Sequence, residues 1–251
     1  MRRRVAVALA AVAFAGTASA SRLVLNYEMR AMGFTVADAT VTATIESGRY
    51  DVRVIGANSG LADLFGSLTL SAAAAGTIPS RQIEPVLFGT DNLYDGAPRR
   101  TRVIWTGPEA HPDYVIPTLE EEERAPIPDD ARQDALDPIS ALLAFSLGEP
   151  TRYRCAGSHK VYDGRRSYTL TLDEGILEAI EIGDARVTAL KCRITYERTG
   201  GQTPESWLSS SRGHEEAEIW FWLDADGRAV PVRLEGDAPI GSAVAELTAL
   251  P

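Results

Sequence analysis

Apolar residues recur at every second position through most of this chain, the period of a strand with one buried face. Leu23, Leu25, Tyr27 and Met29 share one side of a first strand, opposite Val24, Asn26 and Glu28. Ala39, Val41, Ala43 and Ile45 alternate with threonines, and Tyr50, Val52 and Val54 alternate with Asp51 and Arg53. Ser47-Gly48 between these two runs predicts a hairpin turn. Leu68 and Leu70 open a strand that continues through alanines to Ile78, and Val103 and Trp105 belong to another. In the second half, Asp163-Gly164 and Asp226-Gly227 predict tight turns, because glycine accepts the positive φ they need. The first joins a run near Val161 to Tyr168, Leu170 and Leu172; the second joins Ile219–Leu223 to Val230, Val232 and Leu234. Leu190, Cys192, Ile194 and Tyr196 line one face of a strand between them, and residues 242–250 complete the sheet.

Two helices interrupt the strands. Ser59 caps a short one with Leu61, Leu64 and Phe65 on one face and Gly66 at its end. Asp137 caps the second and Pro138 suits its first turn, where a missing amide costs nothing. Ile139, Leu142, Leu143 and Leu147 make an apolar stripe, Ala141, Ala144 and Phe145 leave little polar surface, and Gly148 and Pro150 stop it. Such a helix belongs against the sheet. With no βαβ crossovers, the expected fold class is mainly β: a curved antiparallel sheet of about ten strands forming an open half-barrel, with one or two short helices on the concave side. A proline-rich acidic stretch at about 107–136, including Glu120–Glu123, is expected as a mobile, solvated loop between the halves.

The N-terminus changes the picture of where this sheet works. Arg2, Arg3 and Arg4 precede an apolar run from Val5 to Gly16, and Ala18-Ser19-Ala20 supplies the small residues of a cleavage site. A signal peptide over residues 1–20, cut before Ser21, is expected, leaving a single β-rich domain over 21–251 in the periplasm. The apolar run is shorter than the roughly 20 residues of a spanning helix. Removing residues 1–20, with three arginines and no acid, takes the formal charge from −10 to −13. That balance excludes a nucleic-acid partner held by clustered cations. In an oxidising compartment Cys155 and Cys192 are expected to form a disulfide. The closed loop would stabilise by ~4 kcal/mol in the chain-entropy model.

Candidate chemistry is thin. Gly56-Ala57-Asn58-Ser59-Gly60 has asparagine where a hydrolase elbow needs its nucleophile. Ser158, His159 and Asp163 lie too close along one hairpin to form a triad. His214, Glu216 and Glu218 share a strand face, but one imidazole with carboxylates reads better as a solvated edge than as a zinc site. Neither a metal nor a cofactor is expected, and no enzyme activity. Trp220 and Trp222 face one side of their strand and Ile219, Phe221 and Leu223 the other. A strand apolar on both sides is covered on both sides or lines a cavity. The two readings are a filled core and an apolar pocket built from Trp105, Leu142, Phe145, Trp220 and Trp222, which would take a hydrophobic or lipid-like ligand.

Several features together resemble a family. They include Tyr27, Gly33, the threonine-rich strand, Gly60-Leu61 before Phe65, Gly76 and Pro85. The most specific are Asp137-Pro138-Ile139-Ser140-Ala141 and Asp163-Gly164-Arg165-Arg166 followed by Tyr168. Over nearly the whole mature chain these look like domain-of-unknown-function family 3108, secreted proteins of Gram-negative bacteria. The resemblance implies compartment and fold more than activity. The order of sheet, short helix, sheet, buried helix, sheet also resembles the open half-barrels of outer-membrane lipoprotein carriers, which hold acyl chains. The functional expectation is an exported binding or carrier protein for a hydrophobic ligand; the second reading is a structural or protein-interaction component of the envelope.

Overall fold

A computed structural model describes residues 21–60, 66–147, 155–203, 214–224, 227–238 and 241–251. The expected signal peptide, the helix core at Leu61–Phe65, the helix stop at Gly148 and Pro150, and Asp226 of the second turn lie outside these residues. The first arm of the molecule is a seven-strand meander: β1 (Ser21–Ala31), β2 (Phe34–Glu46), β3 (Arg49–Asn58), β4 (Leu68–Thr77), β5 (Glu84–Tyr94), β6 (Ala97–Thr106) and β7 (Glu109–Ile116). After α1 (Pro138–Leu147) comes a second meander: β8 (Gly157–Tyr162), β9 (Ser167–Ile182), β10 (Ala185–Gly200), β11 (His214–Leu223), β12 (Ala229–Ala238) and β13 (Gly241–Leu247). Each strand pairs antiparallel with the next, and β1 pairs with β13 to fuse the two arms into one thirteen-stranded sheet.

The sheet rolls nearly into a barrel, so the expected half-barrel is more complete than its sequence suggests and has thirteen strands rather than about ten. Two of the added strands, β5 and β7, came from stretches with no alternating signal. β7 occupies the first part of the segment expected to be a loop. It tolerates Pro112 because it is an edge strand with few ladder bonds to lose. At the β2–β3 turn, Ser47 and Gly48 both have positive φ, 50° and 72°, as a two-residue hairpin of this hand requires.

The two edges, β7 and β8, are joined by the chain that runs between them. Gln133 bridges Glu109 of β7, and the Asp134 amide donates to the Pro108 carbonyl at 2.9 Å. Two residues on, the Leu136 amide donates to Lys160 at 2.9 Å and its carbonyl accepts from Tyr162 at 2.8 Å. Trp105, buried on β6, donates its indole N–H to Ala135 at 2.8 Å from within. The stretch Gln133–Leu136 therefore acts as a short filler strand between edges that otherwise expose unpaired backbone.

The Asp163–Arg166 turn closes the same gap further along. Asp163 accepts the amides of Arg165 and Arg166 at 2.8 and 2.7 Å, which fixes the turn. Gly164 packs so tightly on Thr101 of β6 that a Cβ there would overlap the threonine methyl. Arg165 then spends its whole guanidinium across the gap: on Thr101 Oγ1 at 3.1 Å, the carbonyls of Pro117 (3.0 Å), Arg100 (3.1 Å) and Ile116, and Glu122 at 2.7 Å. Glu122 also receives Arg99 and Arg124. The acidic stretch is thus tied to the barrel at its centre rather than solvated throughout. The Cys155–Cys192 disulfide, with Cα atoms 5.5 Å apart, pins the chain leaving α1 onto β10.

Truncating the guanidinium leaves three carbonyls and a carboxylate short of a donor. Arg165→Met is expected to lower unfolding free energy by ~2–4 kcal/mol in denaturant titrations. Arg165→Lys should recover little of it, since one ammonium cannot reach five acceptors. A loss below about 0.5 kcal/mol, the size of an ordinary surface change, would show that the clasp is not what closes the barrel.

Candidate functional site

α1 lies on the concave side because nearly all of its surface is apolar and its start is locked there. Asp137 accepts the amides of Ile139 and Ser140 at 3.0 and 2.9 Å, and Ser140 Oγ donates to its other oxygen. That hydroxyl in turn accepts Tyr50 of β3 at 2.6 Å. The chain Tyr50–Ser140–Asp137 is fully buried and crosses the barrel interior. Burial pushes the Asp137 carboxyl up to about 6, against the donors from Ser140 and Ile139 that hold it down.

Beneath the helix is a cavity of about 350 Å³. Ile139, Leu142, Leu143 and Leu147 form its roof. Leu25, Val41, Ala43 and Val52 of β1–β3 make much of one wall, and Val230 and Leu234 of β12 part of the other. Tyr27, Ser146, Arg228 and Arg233 are the polar-tipped members of its lining. Ala43 of β2, which pairs beside Val52, presents a small side chain to the space, while the helix is propped above by its cap.

Of the five residues expected to form one pocket, the structure brings Leu142 alone to this cavity. Phe145 faces another way, packed with Leu172, Leu190, Cys192, Ile219 and Phe221 and against the His159 ring at 4.8 Å. Trp105 belongs to a third cluster with Tyr50, Val52, Phe88 and Val103. Trp105 and Phe145 do share the rim of a separate, more polar cavity near Asp134 and His159. Trp220 is buried with Ile180, Ile182 and Ala189 of the long β9–β10 hairpin, and Trp222 packs partly against that group. The Trp220 indole donates to Glu178 at 2.9 Å, and Lys191 and Arg233 sit over the ring at 5.0 and 5.1 Å. The strand apolar on both faces is covered on both, by the helix side and by the hairpin. The aliphatic lining from β1, β2 and β3 carried its signal in the alternation, but nothing local said that these faces meet α1.

The other chemical candidates are dispersed. Ser158 bonds Thr171 at 3.0 Å, His159 stacks on Phe145, and Asp163 serves its turn. Glu215, Glu216 and Glu218 pair with Arg198, Arg193 and Lys191.

The family described as "Protein of unknown function (DUF3108)" matches residues 26–248. The chain belongs to this family. The two blocks on which the resemblance chiefly rested, the Asp137–Ser140 helix start and the Asp163–Arg166 turn, are the two locks described above. No curated protein matches the chain. Among solved structures it is similar to a β-barrel-like protein of the DUF1849 family from Brucella abortus. That likeness has 9% identity and a TM-score of 0.52, and covers 91% of this chain and 95% of the other. At that identity it shows the architecture, and the barrel agrees with it.

The buried carboxyls at the two locks give opposite pH dependences. Asp137 holds its proton in the fold up to about 6, whereas the unfolded chain releases it near 3.8. Between those values the folded state binds more protons, so this residue's contribution to stability falls as pH rises. For Glu122, burial raises the carboxyl but its arginines outweigh it and leave it below the ordinary range. Its contribution is present above that range and lost as pH falls through the lowered value. Urea unfolding from pH 3 to 7 (about the range of the two titrations) should show Asp137→Asn removing the decline on the neutral side. Glu122→Gln should flatten the acid limb. Unchanged profiles in both variants would contradict the assignment.

Proposed function

We propose that the protein is an exported, non-enzymatic binding or carrier protein for a hydrophobic, lipid-like ligand, held in the cavity beneath α1. The observation that carries the reading is a space of about 350 Å³ beneath α1, walled almost wholly by aliphatic side chains. Left open to water, so large an aliphatic lining forgoes on the order of several kcal/mol of apolar burial, comparable to a domain's entire net stability. Water gains little there, having few polar partners. An apolar guest removes the cost, and the volume lies within the range of small-molecule sites, roughly 300–1,000 Å³. Exposed Leu142 marks its mouth.

Export is supported by the basic, apolar and small-residue order of the first twenty residues. The Cys155–Cys192 bond supports it independently, since such bridges persist in oxidising compartments.

Native mass spectrometry of gently purified protein should find a co-purifying lipid or fatty acid, and a fluorescent fatty-acid analogue should bind and be displaced by dodecanoate. Ala43→Phe places a ring in the cavity and is expected to weaken the analogue at least tenfold while leaving the melting temperature equal or higher. If no lipid co-purifies and no analogue binds, or if Ala43→Phe binds as the parent does, the reading fails.

A further inference from the structure

The lining of the cavity beneath α1 restricts its guest more narrowly than an apolar wall alone would. Tyr27, Ser146, Arg228 and Arg233 carry the polar tips of that lining, and all four are engaged elsewhere. The Tyr27 hydroxyl donates to the Pro231 carbonyl at 2.6 Å, and Ser146 Oγ donates to the Leu142 carbonyl one turn back along α1 at 3.0 Å. Arg228 gives Nε to Asp224 at 2.5 Å. Arg233 gives its terminal nitrogens to Glu235 at 2.7 Å and Glu246 at 3.5 Å. Its Nε has no acceptor among the described residues, but it is buried and offers a guest no surface. Both arginines are therefore matched by carboxylates, and a headgroup of either sign gains little from the walls. A polar group carried inside would lose its hydration without finding a partner, which keeps it out.

Size sets the second restriction. A methylene takes nearly the liquid volume of a water molecule, about 30 Å³, so a space of about 350 Å³ admits about a dozen carbons. That is one alkyl chain; a membrane lipid with two long chains, or a sterol, does not fit. The lining also passes from solvent to interior. Leu142 of α1 and Leu234 of β12 are 36% and 42% exposed, whereas Leu25, Val52 and Val230 are buried. A chain can therefore enter past the two leucines while whatever it carries at its other end stays in water.

We infer that the guest is a single-chain amphiphile, which buries about a dozen carbons beneath α1 and keeps its headgroup outside, so that the site measures chain length and ignores the headgroup. The inference rests on the binding reading above and names the class of ligand for the same site. Each methylene moved from water into the aliphatic lining raises affinity about three- to fourfold. Methylenes beyond the mouth stay in water and add nothing, which turns the finite volume into a ruler.

Displacement of the fluorescent fatty-acid analogue tests this, with the alkanoates from octanoate to hexadecanoate, each below its micelle concentration. Dodecyltrimethylammonium and dodecyl maltoside present the dodecanoate chain under a cationic and a neutral headgroup. Affinity should rise about three- to fourfold per added carbon as far as dodecanoate and then level. The three dodecyl compounds should agree within about threefold. Ala43→Leu adds three carbons to the wall and should bring the plateau forward to about nine carbons, so that decanoate and dodecanoate bind alike. Ala245→Val adds two at another point of the lining and takes its place where Ala43→Leu does not fold. Affinity that climbs through hexadecanoate, a tenfold preference for one headgroup, or an unmoved plateau in the folded variants overturns the inference and leaves the binding reading standing. Failure of the analogue and of every alkanoate to bind overturns both.

Discussion

Two edge strands, β7 and β8, carry rows of backbone donors and acceptors that the thirteen-strand ladder does not use, and the interior depends on how that gap is filled. The chain fills it with the segment that connects the same two strands. Gln133–Leu136 supplies backbone to both edges, and Arg165 ties the neighbouring turn to the carbonyls of Arg100, Ile116 and Pro117. A buried guanidinium is costly unless every donor finds an acceptor. Here each one does, which makes the arrangement discriminating as well as stabilising: a lysine or a shifted register leaves buried groups unpaired. Glycine at 164 belongs to the same constraint, because the turn must touch β6 for Arg165 to reach past it.

With the gap closed, the helix has one place to go. Its cap hangs from Tyr50 through Ser140 and Asp137, so the start of α1 is fixed to β3 while its body lies across β1, β2 and β12. A polar tether inside an apolar barrel sets a distance that hydrophobic contact alone would shorten. Collapse of α1 onto β1–β3 would remove the cavity but would strand a tyrosine hydroxyl, a serine and a carboxyl away from one another, at ~1–3 kcal/mol for each unsatisfied group. The tether and the void are two sides of one design: the first keeps the second open.

Much of this architecture was legible in the chain. Alternation located β1–β4, β6 and β10–β13, and the Asp137-Pro138 signal located α1, because each is a local pattern with a local cause. β5 and β7 were missed for physical reasons. Pro85 and Gly89 interrupt β5, and β7 is an edge strand in which only Ala110 is buried, so little selection for alternation operates. The second half of β9 escaped likewise, since most of its residues from Glu174 to Ala179 face solvent in a hairpin extending beyond the body of the sheet. The pocket residues were harder. Trp220 and Trp222 advertise burial, and burial is what they have, but against the β9–β10 hairpin. Sequence shows that a face is apolar and cannot show which other face meets it. Leu142 was reachable only because it shares the stripe of a helix whose position was already implied.

Two cavities meet the helix at different points, and their contrast follows from the same tether. Pro138 borders a polar space of about 820 Å³, where Arg99, Arg124, Arg165 and Arg198 share the lining with Glu122 and Asp163, and Ile139, the next residue, borders the aliphatic one. On the sheet, Val54 of the apolar wall pairs with Ala72, two positions from the Gly56–Leu70 pair whose leucine borders the polar wall. Polarity therefore changes within about two residues of strand and one of helix, roughly 6.6 Å along the former. So abrupt a boundary is expensive to leave to chance, because guanidiniums beside an aliphatic void lose hydration without gaining partners. It is stable because each side meets its own kind: apolar surface beneath α1, and Glu122 and Glu215 against Arg99, Arg124, Arg165 and Arg198 on the other side. The barrel closure holds both sides in register, since Glu122 and Arg165 are at once the clasp and the back wall of the polar space.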